Sequence, residues 1–219
     1  MTGFPRSPRL VKGGIVQLDP ASGAVRHIIA LQYNPDSLTR SFQVQDSGEE
    51  HRRRSQPPRF TAPPVEAVKV EAELDAADQL EFPDRYADAG QVGVHPQLAE
   101  LELLVYPTLD QLVAADQSAA AGSLEILPME APITVFVWSA ARVMPVRITE
   151  LSVTEEAFDP ALNPLRAKVQ LGMRVLNVND VGFAHRAGGI YLAHQRRLET
   201  LAARAGTADF PTLGVGGVT

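Results

Sequence analysis

Two adjacent glutamates, Glu155 and Glu156, come nearest in this chain to an acid–base pair. They lie in a run with the composition of a β-strand, and consecutive residues of a strand point to opposite faces of the sheet. General acid–base catalysis needs both groups within reach of the same reacting atoms. The pair is therefore predicted to have a structural or interface role, and hydrolysis at one of the two glutamates is the less favoured alternative.

The histidines show no pattern that would bind a metal ion. None belongs to an HExxH or His-x-His sequence, and no two have the helical spacing that metal sites on one element use. We therefore expect no metal site, and imidazoles that face solvent or are bonded locally. The five are His27, His51, His95, His185 and His194.

Other catalytic and cofactor motifs are also missing from the sequence. It contains no GxSxG nucleophile elbow, no P-loop and no dinucleotide fingerprint. Because it has no cysteine, a disulfide framework and thiolate catalysis are excluded. The chain is predicted to need no cofactor and not to be an enzyme.

The length and the net charge of the chain further limit the class of protein to which it can belong. A chain of 219 residues can bury roughly 70% of its unfolded surface in one core without a covalent staple. The net charge of −6 gives no general attraction to nucleic acid or to anionic lipid. The first residues lack the apolar run of a secretory signal, and no run reaches the length of a membrane span. We expect neither a nucleic-acid partner nor direct membrane insertion.

Three strand-like runs between Ile133 and Leu176, which we call the central stretch, predict the organising sheet. The first, Ile133 to Ser139, is apolar on both faces, so both faces of this strand should be buried. The third, Leu165 to Leu176, alternates apolar and polar residues, as a strand with one packed face does. The middle run changes parity, so it needs a bulge near Glu150 to keep its apolar residues inside.

Four more strands are predicted before the central stretch. Arg9 to Leu18 and Ala24 to Asn34 should form a hairpin around the turn sequence DPASG, and a strand should begin at Leu38, after the turn YNPDSL. Val65 to Asp75 alternates as well and should expose its polar face. Between them, Asp46 to Pro64 is rich in charge, serine and proline and is predicted to be a long mobile arm.

Two helices are expected beside the strands. His95 to Pro107 has an apolar stripe at Leu98, Leu101, Leu104 and Val105. A second, Gly188 to Ala205, has Ile190, Leu198, Leu201 and Ala205 on one face. Residues 76–94 are predicted to be an exposed connection, and residues 108–128 are either a continued helix or a loop. Tyr106 and Trp138 are predicted to be core residues rather than parts of a ligand groove.

A β-rich chain with polar strand faces, long arms and no visible catalytic site has the profile of an assembly subunit, because strand edges and arms can join neighbours. Its HRRR sequence at 51–54 suits a protein partner better than nucleic acid, since the chain as a whole is acidic.

Several stretches taken in order resemble a known family. LQYNPDSLTR, VEAELDAAD, HPQLAELELLVYP, the central stretch and YLAHQRRLETLA look like the N-terminal domain of the tube proteins of bacterial contractile injection systems, which are phage-tail-like devices. The resemblance spans roughly Leu10 to Ala203. It implies a mainly β fold with flanking α, an antiparallel β-barrel or sandwich with one or two helices like phage tail tube and type VI tube proteins.

The resemblance also implies a function. The chain is similar to the tube initiator, a homo-hexameric ring that joins the baseplate and its spike to the inner tube, with adjacent tube ring, spike and baseplate or sheath proteins as partners. A tube-terminator or cap-proximal ring is the alternative, and a cell-wall hydrolase is less favoured. Candidates for subunit contacts or for the lumen are Asn34, Pro35, Arg52, Arg53, Arg54, Glu71, Glu73, Glu155, Glu156, Phe158, Asn163, Pro164, Arg166, Lys168 and Arg174.

Domain limits and location follow from the same interpretation. Residues 1–205 are expected to form one tube-like domain with an extended loop at about 46–64, and the glycine-rich residues 206–219 a flexible tail. Many family members carry a LysM domain after the tube domain, and this sequence shows none. Assembly is expected in the bacterial cytoplasm, in a particle that is later released or membrane-associated.

Overall fold

Antiparallel strands dominate the chain. The computed structural model describes residues 11–46, 60–82, 84–120, 130–206 and 211–214, and within them seven strands form one sheet. The strands are β1 (Gly14–Leu18), β2 (Val25–Ala30), β3 (Leu38–Asp46), β4 (Phe60–Asp75), β5 (Ile133–Ser139), β6 (Arg142–Phe158) and β7 (Pro164–Val175). Their order is β2-β1-β5-β6-β7-β4-β3, with every neighbouring pair antiparallel.

Helices flank this sheet, so the predicted mainly β class with flanking α is confirmed. None of the helices in the described part of the chain has the length and hydropathy that crossing a bilayer requires. They are α1 (Ala77–Leu80), α2 (Ala87–Val92), α3 (His95–Glu102), α4 (Leu109–Ala120), α5 (Val178–Val181) and α6 (Arg186–Ala202), followed by a 3-10 turn at Pro211–Leu213.

The central stretch forms three adjacent strands, as predicted. The β6–β7 ladder shifts register between Ile148 and Glu150, which confirms the bulge expected near Glu150. Because side chains alternate with a period of two, this one-residue shift returns Leu151 and Val153 to the side that Val146 occupies. Without it, half of β6 would turn its apolar residues to water.

The main core lies on one face of the sheet. It contains alternate residues of β4, β6 and β7, such as Val68 and Met173, which are directly opposite each other. Leu98 and Leu101 of α3 pack against it. Each buried side chain of this size contributes about 1.5–3 kcal/mol from removal of its surface from water. The helix is thereby held on the sheet by the apolar stripe that the sequence shows.

A second, smaller cluster lies on the opposite face of β5. Ile133 and Val135 pack there against Ala187 of α6, while Phe136 points into the main core and stacks on Trp138 with ring centroids 6.0 Å apart. Strand β5 is therefore buried on both faces, as its composition predicts.

Strand β4 begins earlier than expected. Residues 60–64, predicted to belong to a mobile arm, are strand, so that end of the arm was placed wrongly. Pro63 and Pro64 are tolerated because this part of β4 pairs only with β3, since pairing with β7 starts at Ala67 and proline is accepted at edges and bulges. Residues 47–59 lie outside the described residues, so mobility there stays a prediction.

The helical segment differs from the prediction in three places. Residues 76–94 are not a plain connection, since they contain α1 and α2. Helix α3 ends at Glu102 rather than at Pro107, and Tyr106 is exposed, so its prediction as core was wrong. Residues 109–120, left open between helix and loop, are helix.

Helix α6 buries the predicted face in its N-terminal part, where Ile190 packs against the smaller cluster, and exposes that face beyond Leu198. Leu201 and Ala205 are exposed, whereas Ala187, Gly188 and His194 are buried. The prediction followed the aliphatic residues alone, and it missed that a histidine occupies a core position.

The sheet is not closed into a barrel. In the described part of the chain, β2 and β3 stand at its two ends and are not paired with each other. A closed barrel has no free edges, so the barrel alternative of the predicted fold is absent from these residues, and two edge strands remain.

Gly93 offers a test of how the helical segment is joined to the sheet. It has φ of +58°, and a Cβ there would lie 2.1 Å from the carbonyl oxygen of Pro164, the oxygen that accepts from the Val94 amide. We expect Gly93→Ala to lower the free energy of unfolding by about 2–4 kcal/mol, measured by urea denaturation. Gly90→Ala, where a Cβ meets nothing within 4 Å, should instead stabilise by about 0.5–1 kcal/mol. Equal effects would contradict this account.

Candidate assembly surface

A charged ladder covers the face of β4, β7 and β6 that lies opposite the main core. Arg166 of β7 is directly between Asp75 and Glu156, and its Nη2 lies 2.8 Å from Asp75 Oδ2. Lys168 Nζ lies 3.7 Å from Glu156 Oε1, with Glu73 as its neighbour on β4. Near the β6–β7 turn, basic residues of β7 therefore lie between acidic residues of β4 and β6, whereas Lys69 and Arg147 are basic farther along the same face.

The ladder continues along β7 with neutral and paired groups. Gln170 Nε2 donates to Glu71 Oε2 at 3.2 Å, and Arg174 Nη2 lies 2.6 Å from Asp180 Oδ1. Exposed pairs of this kind contribute only about 0–1 kcal/mol each. These pairs therefore add little to the stability of the isolated fold. Their charged groups can also make contacts with another molecule.

Glu155 and Glu156 are separated by the sheet, as predicted. Glu156 lies opposite Arg166 on the charged face, whereas Glu155 lies opposite Ala167, whose side chain is in the main core. Within the part of the chain that the structure describes, no second carboxyl group is hydrogen-bonded to Glu155, so these residues give no support to a two-carboxylate hydrolase.

The predicted contact residues in turns also have roles within the chain. Asn34, which precedes Pro35, accepts from the Gly13 amide at 3.0 Å and donates to the Val11 carbonyl at 2.8 Å. The turn is thereby tied to the chain entering β1. These residues are structural in the monomer, and a contact role for them stays a prediction.

Asn163 works in a similar way at the β6–β7 turn. Its Nδ2 donates to the Gln91 carbonyl at 2.9 Å and to Asp159 Oδ2 at 2.8 Å. The hydrogen bond from Asn163 Nδ2, together with one from the Asn163 backbone amide at 2.8 Å, holds the pKa of the Asp159 carboxyl below its ordinary value. The adjacent Pro164 is buried, while Phe158 is exposed, so of the predicted contact residues at this turn Phe158 is the one with a large exposed side chain. Arg52, Arg53 and Arg54 lie outside the described residues.

A buried group of charged side chains was missed at the sequence level. Arg40 Nε lies 2.6 Å from Glu66 Oε1, and both side chains are mostly buried. Arg142 lies within Coulombic range of both. In the alternation of β4, Glu66 is on the same face as Val68 and Val70. A charged residue on that apolar face is the sequence signal that could have predicted the buried ion pair.

His194 completes this group. It is 1% exposed, and neither ring nitrogen has a hydrogen-bond partner in the described residues, so the expectation of a solvent-facing or locally bonded imidazole was wrong. Burial lowers its pKa below 6.5, opposed by Glu66 and reinforced by Arg40, Arg142 and Arg197. The imidazole is therefore held neutral near pH 7.

An apolar groove of about 1020 Å³ lies between the α3–α4 segment and the sheet. Leu104 and Leu112 line it from the helical side, and Ile133 and Ile148 from the sheet. At its rim His185 Nε2 lies 2.6 Å from Glu130 Oε1. No signal in the sequence predicted this groove, because its walls come from segments far apart in the chain.

The described residues contain no group of three or more histidine and carboxylate side chains that could hold a metal ion. Among the described residues that line the apolar groove, no serine or threonine hydroxyl is hydrogen-bonded to a histidine or carboxylate side chain. What the described surface offers is charge, strand edges and apolar area, which are means of binding another molecule.

Comparison with known proteins does not identify the chain. No protein-family model and no curated protein matches it. Among solved structures, it is similar to a chain in the tail of an empty GTA particle with C6 symmetry, at 12% identity and a TM-score of 0.28, over 74% of this chain and 90% of that one. It is also similar to a chain in the virion of a native gene transfer agent particle, at 12% identity and a TM-score of 0.27, with the same coverage. Scores this low carry no argument.

The buried ion pair gives a prediction about stability. Glu66→Gln leaves Arg40 without its carboxylate in a mostly buried place, and we expect a loss of about 2–3 kcal/mol in the free energy of unfolding. Glu71→Gln, on the exposed ladder, should change it by less than about 0.5 kcal/mol. Chemical denaturation measures both, and a harmless Glu66→Gln would show that the pair does not hold β3 to β4.

His194 gives a prediction about pH. Because its pKa is lower in the folded chain than the ordinary 6.5, the unfolded chain binds the proton more readily. The resulting stability is present above about pH 6.5 and is lost as the pH falls below it, with a slope of at most about 1.4 kcal/mol per pH unit. We expect His194→Leu to remove this dependence between pH 7 and 5, and the control His95→Gln to keep it. Parallel curves for wild type and His194→Leu would contradict the assignment.

Proposed function

We propose that this chain is a structural subunit of a bacterial contractile injection system, and that it forms a hexameric ring which initiates the inner tube and links it to the baseplate and spike. The observation that carries the proposal is the open sheet, whose two end strands have no further strand beside them in the described part of the chain. The ordered sequence motifs that resemble tube proteins support the same conclusion.

The two edges have the character of surfaces that a neighbour covers. Strand β2 exposes Val25 and Ile28, and strand β3 exposes Phe42 and Val44. Soluble proteins usually protect such edges with charge, proline or a covering segment, because an unpaired apolar edge invites association. In a ring, β2 of one copy and β3 of the next would each lose their exposed edge, and no edge would remain.

The charged ladder fits the face that such a ring leaves uncovered. If the sheet continues from copy to copy, the side chains of Glu71, Glu73, Arg166, Lys168 and Arg174 repeat around one surface, which we assign to the lumen or to the contact with the next ring. Because acidic and basic side chains are mixed on this surface, its net electrostatic potential is small. A cargo molecule that passes along it would meet a hydrated surface that binds neither cations nor anions strongly.

The position of the ring along the particle separates the proposal from its alternative. An initiator ring lies at the baseplate end, next to the spike, whereas a terminator or cap-proximal ring lies at the other end. Electron microscopy of the particle with this subunit tagged at one terminus distinguishes the two, since label at the cap end would replace the initiator role by the terminator role.

Ring formation is tested with charges placed on the two edges. Ile28→Lys and Phe42→Lys should abolish rings in native mass spectrometry, because a buried unpaired lysine costs roughly 2–5 kcal/mol per interface, which is about thirtyfold or more in affinity. Leu213→Lys, an equally exposed apolar position outside the sheet, is the matched control. A wild-type chain that stays monomeric together with its tube and spike partners would overturn the proposal, and so would edge variants that form rings normally.

A further inference from the structure

The helical segment carries more exposed apolar surface than an isolated subunit needs. Along α3, α4 and their connection, large apolar side chains face solvent beside the apolar groove, and Leu109 is 74% exposed. A contiguous patch of this kind marks a binding surface in a soluble protein. The patch consists of Leu103, Val105, Tyr106, Leu109, Leu112 and Val113.

This surface also has a charge of one sign. Residues 95–120 contain four carboxylates and neither lysine nor arginine. Two of them, Asp110 and Asp116, are exposed. By the four-residue spacing of a helix they share faces with Ala114 and Leu112, which line the groove. Neither aspartate takes part in an ion pair or hydrogen bond within the described residues, so the groove is bordered by uncompensated negative charge.

The same chain contains a segment with the opposite properties. Residues 51–60, HRRRSQPPRF, include four arginines and no carboxylate. The segment ends at Phe60, the first residue of β4, which is 86% exposed. Aromatic residues and arginine are enriched in protein interfaces, and the arginines match the sign of the unpaired Asp110 and Asp116. Glu100 of the same segment is already paired with His27.

We propose that the apolar groove binds residues 51–60 of a second copy of this chain, with Phe60 against Leu112 and the arginines against Asp110 and Asp116. The inference rests on the proposed function to the extent that copies of the chain lie side by side, but it assigns a contact separate from the strand edges. It gives the HRRR sequence a protein partner, and it accounts for the apolar patch and its acidic border together.

Because the chain has no cysteine, a disulfide between introduced residues reports this contact directly. Phe60→Cys on one copy and Leu112→Cys on another are mixed in the full-length chain under mild oxidation, and mass spectrometry identifies the linked pair. Docking raises the effective concentration of the two thiols to the millimolar range, so we expect about tenfold more linked dimer than for Phe60→Cys mixed with Leu162→Cys. This control is at a leucine outside the patch that is more exposed than Leu112. Thermal melting confirms that each variant is folded.

The charge match is tested in the same assay. Replacing Arg52, Arg53 and Arg54 by glutamate on the Phe60→Cys copy should lower the yield about tenfold, and Asp110→Lys with Asp116→Lys on the Leu112→Cys copy should restore it. Linkage at the control level, or only within a chain that carries both cysteines, overturns the inference. If rings still form in native mass spectrometry while linkage stays at the control level, this contact fails and the proposed ring stands. If linkage is specific but rings are absent, the contact stands and the ring fails.

Discussion

The alternation of side chains across β4, β7 and β6 is the constraint on which the rest of the structure depends. One parity of these strands packs Val68, Val169 and Met173 into the core, and the other carries the charged ladder. Since the side-chain period is two, a slip of one residue would exchange the two faces. The bulge before Glu150 compensates for the one change of side-chain parity in β6. The strand therefore bends locally, and the apolar residues on both sides of the bulge stay in the core.

The helical segment depends on this sheet in turn. Leu98 and Leu101 hold α3 on the main core, and the Val94 amide donates to the Pro164 carbonyl at 2.9 Å, which joins the segment to the start of β7. Leu104, just after α3, also packs against the core, whereas Leu109, Leu112 and Val113 of α4 are exposed. They line or border the groove instead, so the packing that stabilises one side of the segment leaves the other side as a binding surface.

The buried charges show how the core and the assembly surfaces are balanced. Arg40 and Glu66 form their pair on the core side of β3 and β4, beside His194, which has no partner among the described residues. Burying charge costs free energy unless it is paired. This part of the core therefore contributes less stability than an apolar core of the same size would. It also makes the packing of α6 against the sheet depend on the protonation state of the His194 imidazole.

The sequence by itself determined the strands, their parity, the bulge and the separation of Glu155 from Glu156, because these follow from local alternation and turn chemistry. It misjudged the start of β4 and the burial of Tyr106 and His194, since burial depends on which distant segments meet. Only the tertiary structure decided that β2 and β3 are the end strands of the described sheet, that Glu66 and His194 are buried in the same region, and that a groove lies beneath α4 and the connection before it. Each of these features brings together residues that are far apart in the chain, so no local sequence pattern predicts it.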